Sequence, residues 1–363
     1  MAKVLLVDSK YAELSRHMRA ILDFAAFDPK GKTVLLKPNL LFYTEPEQGL
    51  NTHPAVLEAL IAECEKRGAS RIYLGDNAGQ VMYGNSRAAF YESHGMGDRF
   101  AKYYVNLGLD LEPYHLACLD LTLYVPKLLR QVDLVVNIPK FKTHGLTGIS
   151  GAVKNTFGYV PGAQKAKMHY LAHTYERFAT VLAQVHAMRK PDLNVVDAIL
   201  AMEGRGPFSP KLRYIGQLIV STDPVALDSV ICDMIGFKPR DIPHLRAAEE
   251  LGLGSCDNVE VIGTPRELPE FVLPPNADTP WAINGDDGVL TPNLIRDASR
   301  TVVNVDLHTC IRCGNCVASC PAGALAMADG PVMTGLPCAS CHACQERCEA
   351  RALFLEPSLQ QEH

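Results

Sequence analysis

Of the twelve cysteines in the chain, eight fall in one stretch with a repeated spacing. Cys310, Cys313, Cys316 and Cys320 follow C-x2-C-x2-C-x3-C, and Cys338, Cys341, Cys344 and Cys348 follow it again. A C-x2-C-x2-C run folds a tight loop around one face of an iron–sulfur cube and supplies three thiolates; the fourth cysteine reaches the other cube. The spacing therefore assigns Cys310, Cys313, Cys316 and Cys348 to one [4Fe-4S] cluster and Cys338, Cys341, Cys344 and Cys320 to a second. A structural zinc site needs only four ligands, in pairs separated by a dozen or more residues, and leaves half of these cysteines unexplained. A disulfide framework belongs to small secreted chains, and nothing here looks secreted.

The two runs repeat at a 28-residue offset, Cys310 to Cys338 and Cys320 to Cys348, and the apolar signature after each fourth cysteine repeats too: Ala322, Ala324, Leu325, then Ala350, Ala352, Leu353. This duplication resembles a two-cluster bacterial-type ferredoxin from Val302 to about Pro357. The resemblance implies a small α+β ferredoxin-like domain. Glu349 stands where the first copy has Pro321, a departure that bears on the local turn and the second cluster's potential while leaving every ligand in place.

A second set of reactive side chains is basic. Lys37, Lys140, Lys142, Lys154, Lys165, Lys167 and Arg205 all fall in or after segments that follow strand-like runs, in a chain whose net charge is -5. Gathered at one end of a sheet, they would make a cationic pocket favouring a carboxylate or phosphate. Gly145, Gly148, Gly151 and Gly158 would let backbone amides approach such an anion closely. His144 and His169, with Lys142 and Lys154, are the candidates for moving protons; Lys37, Asn39, Asp76, Lys140, Asn155 and Arg205 are the candidates for holding the ligand. Lys165 and Lys167 read equally as a solvated face, Asp76 as a turn residue, and Asp223 as a helix N-cap. Charge at the strand ends of an α/β core is costly without a use, which keeps Lys37, Lys140, Lys142, His144 and Lys154 as functional candidates.

The elements that must position these residues alternate. Thr33 to Lys37 is a short apolar strand, His53 to Arg67 a helix with Pro54 in its first turn and Gly68 as its stop, and Arg71 to Leu74 the next strand. That succession is a βαβ crossover and implies a parallel sheet. The pattern recurs with a strand at Leu134 to Asn137, a helix from Thr174 to Lys190, and strands at Leu193 to Asp197 and Leu218 to Val220. A helix opened by Pro224 and ended by Gly236, another at His244 to Leu251, and a strand at Val259 to Ile262 complete it. In such sheets ligands bind beyond the carboxyl ends of the strands. The expected fold is α/β, a mostly parallel sheet with flanking helices over residues 1–263. Residues 264–300, rich in proline and holding the only tryptophan, Trp281, read as a linker that Trp281 pins to a domain. The cluster domain follows at 301–357, with a tail at 358–363. Cys64, Cys118, Cys232 and Cys256 read as small core residues.

Composition narrows the partners. An acidic chain has no global field for nucleic acid, no run of eighteen apolar residues could span a membrane, and no signal peptide opens the sequence, so the expectation is a cytoplasmic protein. Neither G-x-G-x-x-G after an early strand nor a Walker A lysine motif occurs.

Six segments carry a family resemblance: Val34-Leu-Leu-Lys-Pro-Asn-Leu, Thr52-His-Pro, Leu74-Gly-Asp-Asn, Asn137-Ile-Pro-Lys-Phe-Lys-Thr-His, Gly151-Ala-Val-Lys-Asn-Thr-Phe-Gly and Asp223-Pro-Val-Ala-Leu-Asp. They are similar to the large family called domain of unknown function 362, whose members with a C-terminal ferredoxin are familiar. The resemblance implies an association with anaerobic iron–sulfur biology and assigns no reaction. His144, Gly148 to Lys154, Pro161-Gly162 and His169 are also similar in order to a segment of the nickel-pincer lactate racemases. There the lysine carries the cofactor and the histidines serve as acid–base or metal-site groups; this chain has Ser150-Gly151-Ala152 where two glycines are usual.

The function expected from these readings is an iron–sulfur oxidoreductase. Two [4Fe-4S] clusters would relay electrons from a redox partner protein to a small anionic substrate or cofactor in the cationic pocket, which could also take a metal. The alternatives are an electron-transfer accessory to a separate enzyme, and a non-redox racemase or isomerase with auxiliary clusters.

Overall fold

The computed structural model describes residues 1–273 outside 42–44, 78–97, 109, 145–146, 162, 173, 205–208, 210 and 269, and residues 301–357 outside 319, 321–322, 337–343, 345–347, 349 and 351. Arg205, Cys338, Cys341, Trp281, most of the expected linker and the tail lie outside the described residues.

Nine described strands form the main sheet: β1 (Ala2–Asp8), β2 (Thr33–Pro38), β3 (Arg71–Leu74), β6 (Leu134–Ile138), β7 (Lys140–His144), β8 (Gly148–Ile149), β9 (Leu193–Met202), β10 (Leu212–Ser221) and β11 (Val259–Ile262). Their order is β11-β1-β10-β9-β6-β2-β3, with β7 carrying β6's direction on alongside β9 and β8 folding back on β7. The sheet is mostly parallel, as the βαβ spacing implies. A separate hairpin joins β4 (Leu111–Leu116) to β5 (Leu121–Pro126).

Both faces of the sheet are covered because its strands are apolar on both sides. Val34 and Leu36 of β2, Val195 of β9 and Leu218 of β10 pack toward helices Ser15–Phe24 and Pro54–Lys66. Leu35, Val196 and Ile219 face the opposite way, into cores shared with helices Tyr175–Met188, Pro224–Ile235 and Pro243–Glu250. Each such fully buried Leu, Ile or Val stabilises the fold by ~1.5–3 kcal/mol before ordering costs. Helix ends follow local chemistry: His53 Nδ1 accepts from Ala55 N at the start of Pro54–Lys66, and Thr174 and Asp223 cap the helices that follow them.

Two features differ from the sequence reading. The lysine- and histidine-rich segment that follows the strand ending near Asn137 is itself a strand: Lys140–His144 is β7, so Lys140, Lys142 and His144 alternate onto one face while Phe141 enters the core. Strand β10 runs antiparallel to β9, Ser221 pairing with Asn194. Its carboxyl end therefore points back toward the start of β9, and Asp223 acts there as an N-cap, accepting from Val225 N and Ala226 N at 2.9 Å.

The C-terminal region pairs β12 (Thr301–Val305) with β15 (Leu353–Pro357), and β13 (Leu325–Met327) with β14 (Pro331–Met333). The repeat is legible in its packing: Ala324 and Leu325 are buried, and so are their counterparts Ala352 and Leu353.

Candidate functional site

Around the first cysteine run, Cys310, Cys313, Cys316 and Cys348 line one shallow hollow, together with Met327, Pro331, Ala350 and Leu353. These are the four thiols that the spacing assigns to one cube. Zinc would draw its thiolates to ~2.3 Å from a single point; among the described residues no three His, Cys, Asp or Glu side chains converge closely enough to hold one ion. Four cysteines spread around a hollow fit a cube better than an ion. Arg312 takes a left-handed backbone (φ 54°) between the first two ligands, and Gly314 (φ 76°) follows the second, which curls the loop. Ala324 N donates to Cys320 Sγ and Ala352 N donates to Cys348 Sγ, both at 3.2 Å, so the crossing thiol of each repeat is held alike. Of the second set, Cys320 and Cys344 are described, and Cys344 is buried.

In the main sheet the basic residues separate by their partners. Lys37, at the end of β2, is fully buried and pairs with buried Asp76 at 2.8 Å. Asp76 also accepts from Leu40 N at 2.9 Å. Gly158 makes room for the pair, since a Cβ there would overlap Asp76 Oδ1 and lie 2.7 Å from Lys37 Nζ. Lys140 is likewise buried against Asp197 at 2.8 Å and donates to the Tyr11 hydroxyl at 2.9 Å. Tyr11 donates to Asp197 at 3.0 Å and stacks on His53 at 3.6 Å. Burial lowers the proton affinity of both lysines, and each carboxylate restores part of it. These two lysines are neutralised where they stand.

Lys142 and Lys154 have no carboxylate within ion-pair distance among the described residues. Lys142 Nζ donates to Asn39 Oδ1 at 2.7 Å and to Leu50 O at 3.0 Å. From Asn39 a one-way chain of amides continues, each donating to the next: Asn39 to Asn155 (2.8 Å), Asn155 to Asn137 (2.8 Å), Asn137 to Asn194 (2.9 Å), and Asn194 to Ser221 O (3.2 Å). Burial, then the neighbouring Lys154 and Lys140, push the Lys142 ammonium well below the usual lysine range. Lys154 makes no hydrogen bond to any described residue and keeps partial solvent contact. Burial, then Lys165 and Lys37, bring it down to about 8.

Three imidazoles lie within electrostatic reach of Lys154. His144 ends β7 and its Nδ1 accepts from Thr147 N at 3.3 Å, which places the proton of the neutral ring on Nε2. His169, on helix Ala163–Ala172, stacks on Phe178 at 4.1 Å with Phe157 edge-on at 5.6 Å. His244 is fully buried beside Tyr175, and its Nε2 has no partner among the described residues. Burial first and Lys154 second push His144 well below its ordinary range, and His169 and His244 down to about 3. All three are neutral at physiological pH.

Helix Ala152–Asn155, which carries Lys154, is anchored from beneath. Asp228 accepts from Ala152 N at 2.6 Å and Val153 N at 3.0 Å, and a Cβ on Gly151 would overlap its carboxyl. Burial lifts that carboxyl to about 7 against the pull of the two amides.

The structure thus gathers Lys37, Lys142, His144, Lys154 and His169 of the residues singled out by sequence, with Asn39 and Asn155 in the amide chain. Lys140 stands with Asp197 and Tyr11, Lys165 donates to Asn77 O, and Lys167 is partly exposed. Glu203 is paired with Arg213 at 3.0 Å. His244, Asp228, Asp197 and Tyr11 were missed. Only Asp228 had a visible signal, as the last residue of the Asp223-Pro-Val-Ala-Leu-Asp segment.

Residues 34–233 match the family described as domain of unknown function (DUF362), and residues 302–349 match the 4Fe-4S dicluster domain. The chain is also 32% identical over 273 residues to a thylakoid-associated protein from Synechocystis sp., covering 68% of this chain and 79% of that one. The likeness to lactate racemases gains no support from these comparisons. No helix among the described residues is long and apolar enough to cross a membrane. The chain carries an iron–sulfur domain suited to electron transfer, and by the match over most of its main sheet it belongs to the DUF362 family.

Proposed function

We propose that the chain is an iron–sulfur oxidoreductase whose substrate is a small anion held at Lys142 and Lys154. The observation that carries this reading is the pairing: of Lys37, Lys140, Lys142 and Lys154, the first two have a buried carboxylate partner and the last two have none among the described residues. A buried cation without a counter-charge is costly, and an anionic ligand is the simplest compensation. Bound [4Fe-4S] clusters supply one-electron transfer. The protein's own residues bind and protonate: Lys142 and Lys154 orient the anion, and His144 and His169, neutral and partly exposed, are placed to take up or release a proton.

Anaerobically purified, dithionite-reduced protein should be reoxidised by one member of a panel of 2-oxo acids and acyl phosphates, read from its visible absorption. The double variant K142M/K154M should keep that absorption and lose the response. A panel without effect, with calorimetry showing no anion bound, would sink the proposal. The alternative of an electron-transfer accessory is favoured by one observation: Ile311 and Met327 are exposed apolar side chains on the lip of the cysteine hollow, beside exposed Cys313. A redox protein that co-purifies and accepts electrons faster than any small molecule would support it.

A further inference from the structure

The lysines near the anion site differ in one chemical respect. Lys37 and Lys140 are locked in ion pairs, and Lys142 donates to two oxygens. Lys154 alone of these four has no acceptor among the described residues, and it is only partly buried. Its surroundings are cations and neutral imidazoles, including fully buried His244, whose Nε2 has no partner among the described residues. An amine desolvated beside other cations is how proteins prepare a lysine to attack carbonyl carbon. The imidazoles within its electrostatic reach are uncharged and so add no further positive charge beside the amine.

We propose that Lys154 captures a carbonyl compound bearing an acid group, of the 2-oxo acid class, as a covalent imine. The inference rests on the reading of this site as an anion site and adds the reacting group. The lysine nitrogen bonds to the carbonyl carbon, and the carbonyl oxygen leaves as water carrying both amine hydrogens. Water moves those protons from nitrogen to oxygen, with no net gain or loss. Lys142, an electrostatic neighbour of Lys154, would hold the carboxylate of the captured molecule.

The test uses full-length, cluster-loaded protein, glyoxylate as probe and cyanoborohydride to fix any imine; the reductant supplies hydride to carbon and water supplies the proton to nitrogen. Peptide mapping should find Lys154 modified about tenfold or more faster than exposed Lys30, because a larger share of its amine is unprotonated. The lead of Lys154 over surface lysines should be largest at and below about pH 8 and shrink above it, a ratio in which the reductant's own need for a protonated imine cancels. Non-covalent binding of pyruvate, measured by calorimetry without reductant, should weaken over the same range as the ammonium is lost. K154R should abolish the adduct at this position and leave labelling of Lys30 unchanged. Pyruvate binding with Lys154 labelled no faster than Lys30 would overturn the imine and spare the anion site; absence of both would overturn the two together. The pH profile of the unaltered protein decides the matter even where K154R fails to fold.

Discussion

At the scale of single residues, the site depends on two carboxylates: Asp76, which the sequence offered as a ligand-holding or turn residue without its lysine partner, and Asp197, which it did not single out. The lysines and His144 were legible because charged residues clustered after strand-like runs; which of them stay available was not. That depends on Asp76 and Asp197 arriving from distant segments, and pairing across such separations leaves no local pattern. Breaking the Lys37–Asp76 pair should expose its worth: D76N leaves a buried ammonium unmatched and should cost ~3–5 kcal/mol in a denaturant melt. G158A should approach that loss, since the new methyl would need the carboxylate's place. Asp228 gives a pH signature. Burial raises its carboxyl from an ordinary 3.8 to about 7. A carboxyl raised in this way stabilises the fold most below its unfolded value, and that contribution is lost as pH rises from about 4 to about 7, at ~1.4 kcal/mol for each pH unit crossed. Unfolding midpoints should therefore fall across this window and flatten in D228N, whose side chain does not ionise.

At the scale of elements, strand and helix positions were readable to within a few residues where apolar periodicity was strong, as for Pro54–Lys66 and Tyr175–Met188. Strand β7 was not, because Lys140, Lys142 and His144 are polar where a buried strand is normally apolar. It is a strand because its polar side chains find partners in the protein: Asp197 for Lys140, and Asn39 and Leu50 O for Lys142. The direction of β10 was also hidden, since a strand reads the same whichever way its neighbours run. The amide chain is the element-scale device that aims Lys142. N137A removes its middle link and orphans buried groups on Asn155, Asn194 and Ala152, which should cost ~1–3 kcal/mol. Pyruvate affinity, by calorimetry, should weaken in N137A and stay unchanged in D223A. The latter removes a helix cap, at ~1 kcal/mol, and no side chain of the amide chain.

At the scale of the whole molecule, the C-terminal region was the most legible part, because metal ligation ties residue type to spacing more strictly than packing does. The duplication extends to matched N–H···S contacts at Cys320 and Cys348. We expect iron and sulfide content to fall by about half in C310S, and again by a similar step when C341S is added, measured against protein. Calorimetric pyruvate binding should survive both changes, since the proposed anion site draws all its groups from the main sheet and its helices.

The first strand sits between late arrivals. Strand β1 pairs on one side with β10, Leu5 opposite Val220, and on the other with β11, Ala2 opposite Val259. The opening residues therefore emerge from the ribosome with no edge to join and must wait until most of the main sheet has been made. Tyr11 follows that strand directly, so the Lys140–Asp197 pair receives its hydroxyl partner only after this late docking. A nascent chain stalled before β10 would hold the ingredients of the lysine cluster without its final clasp, so the hydroxyl partner of the Lys140–Asp197 pair is set only once the second half of the main sheet exists.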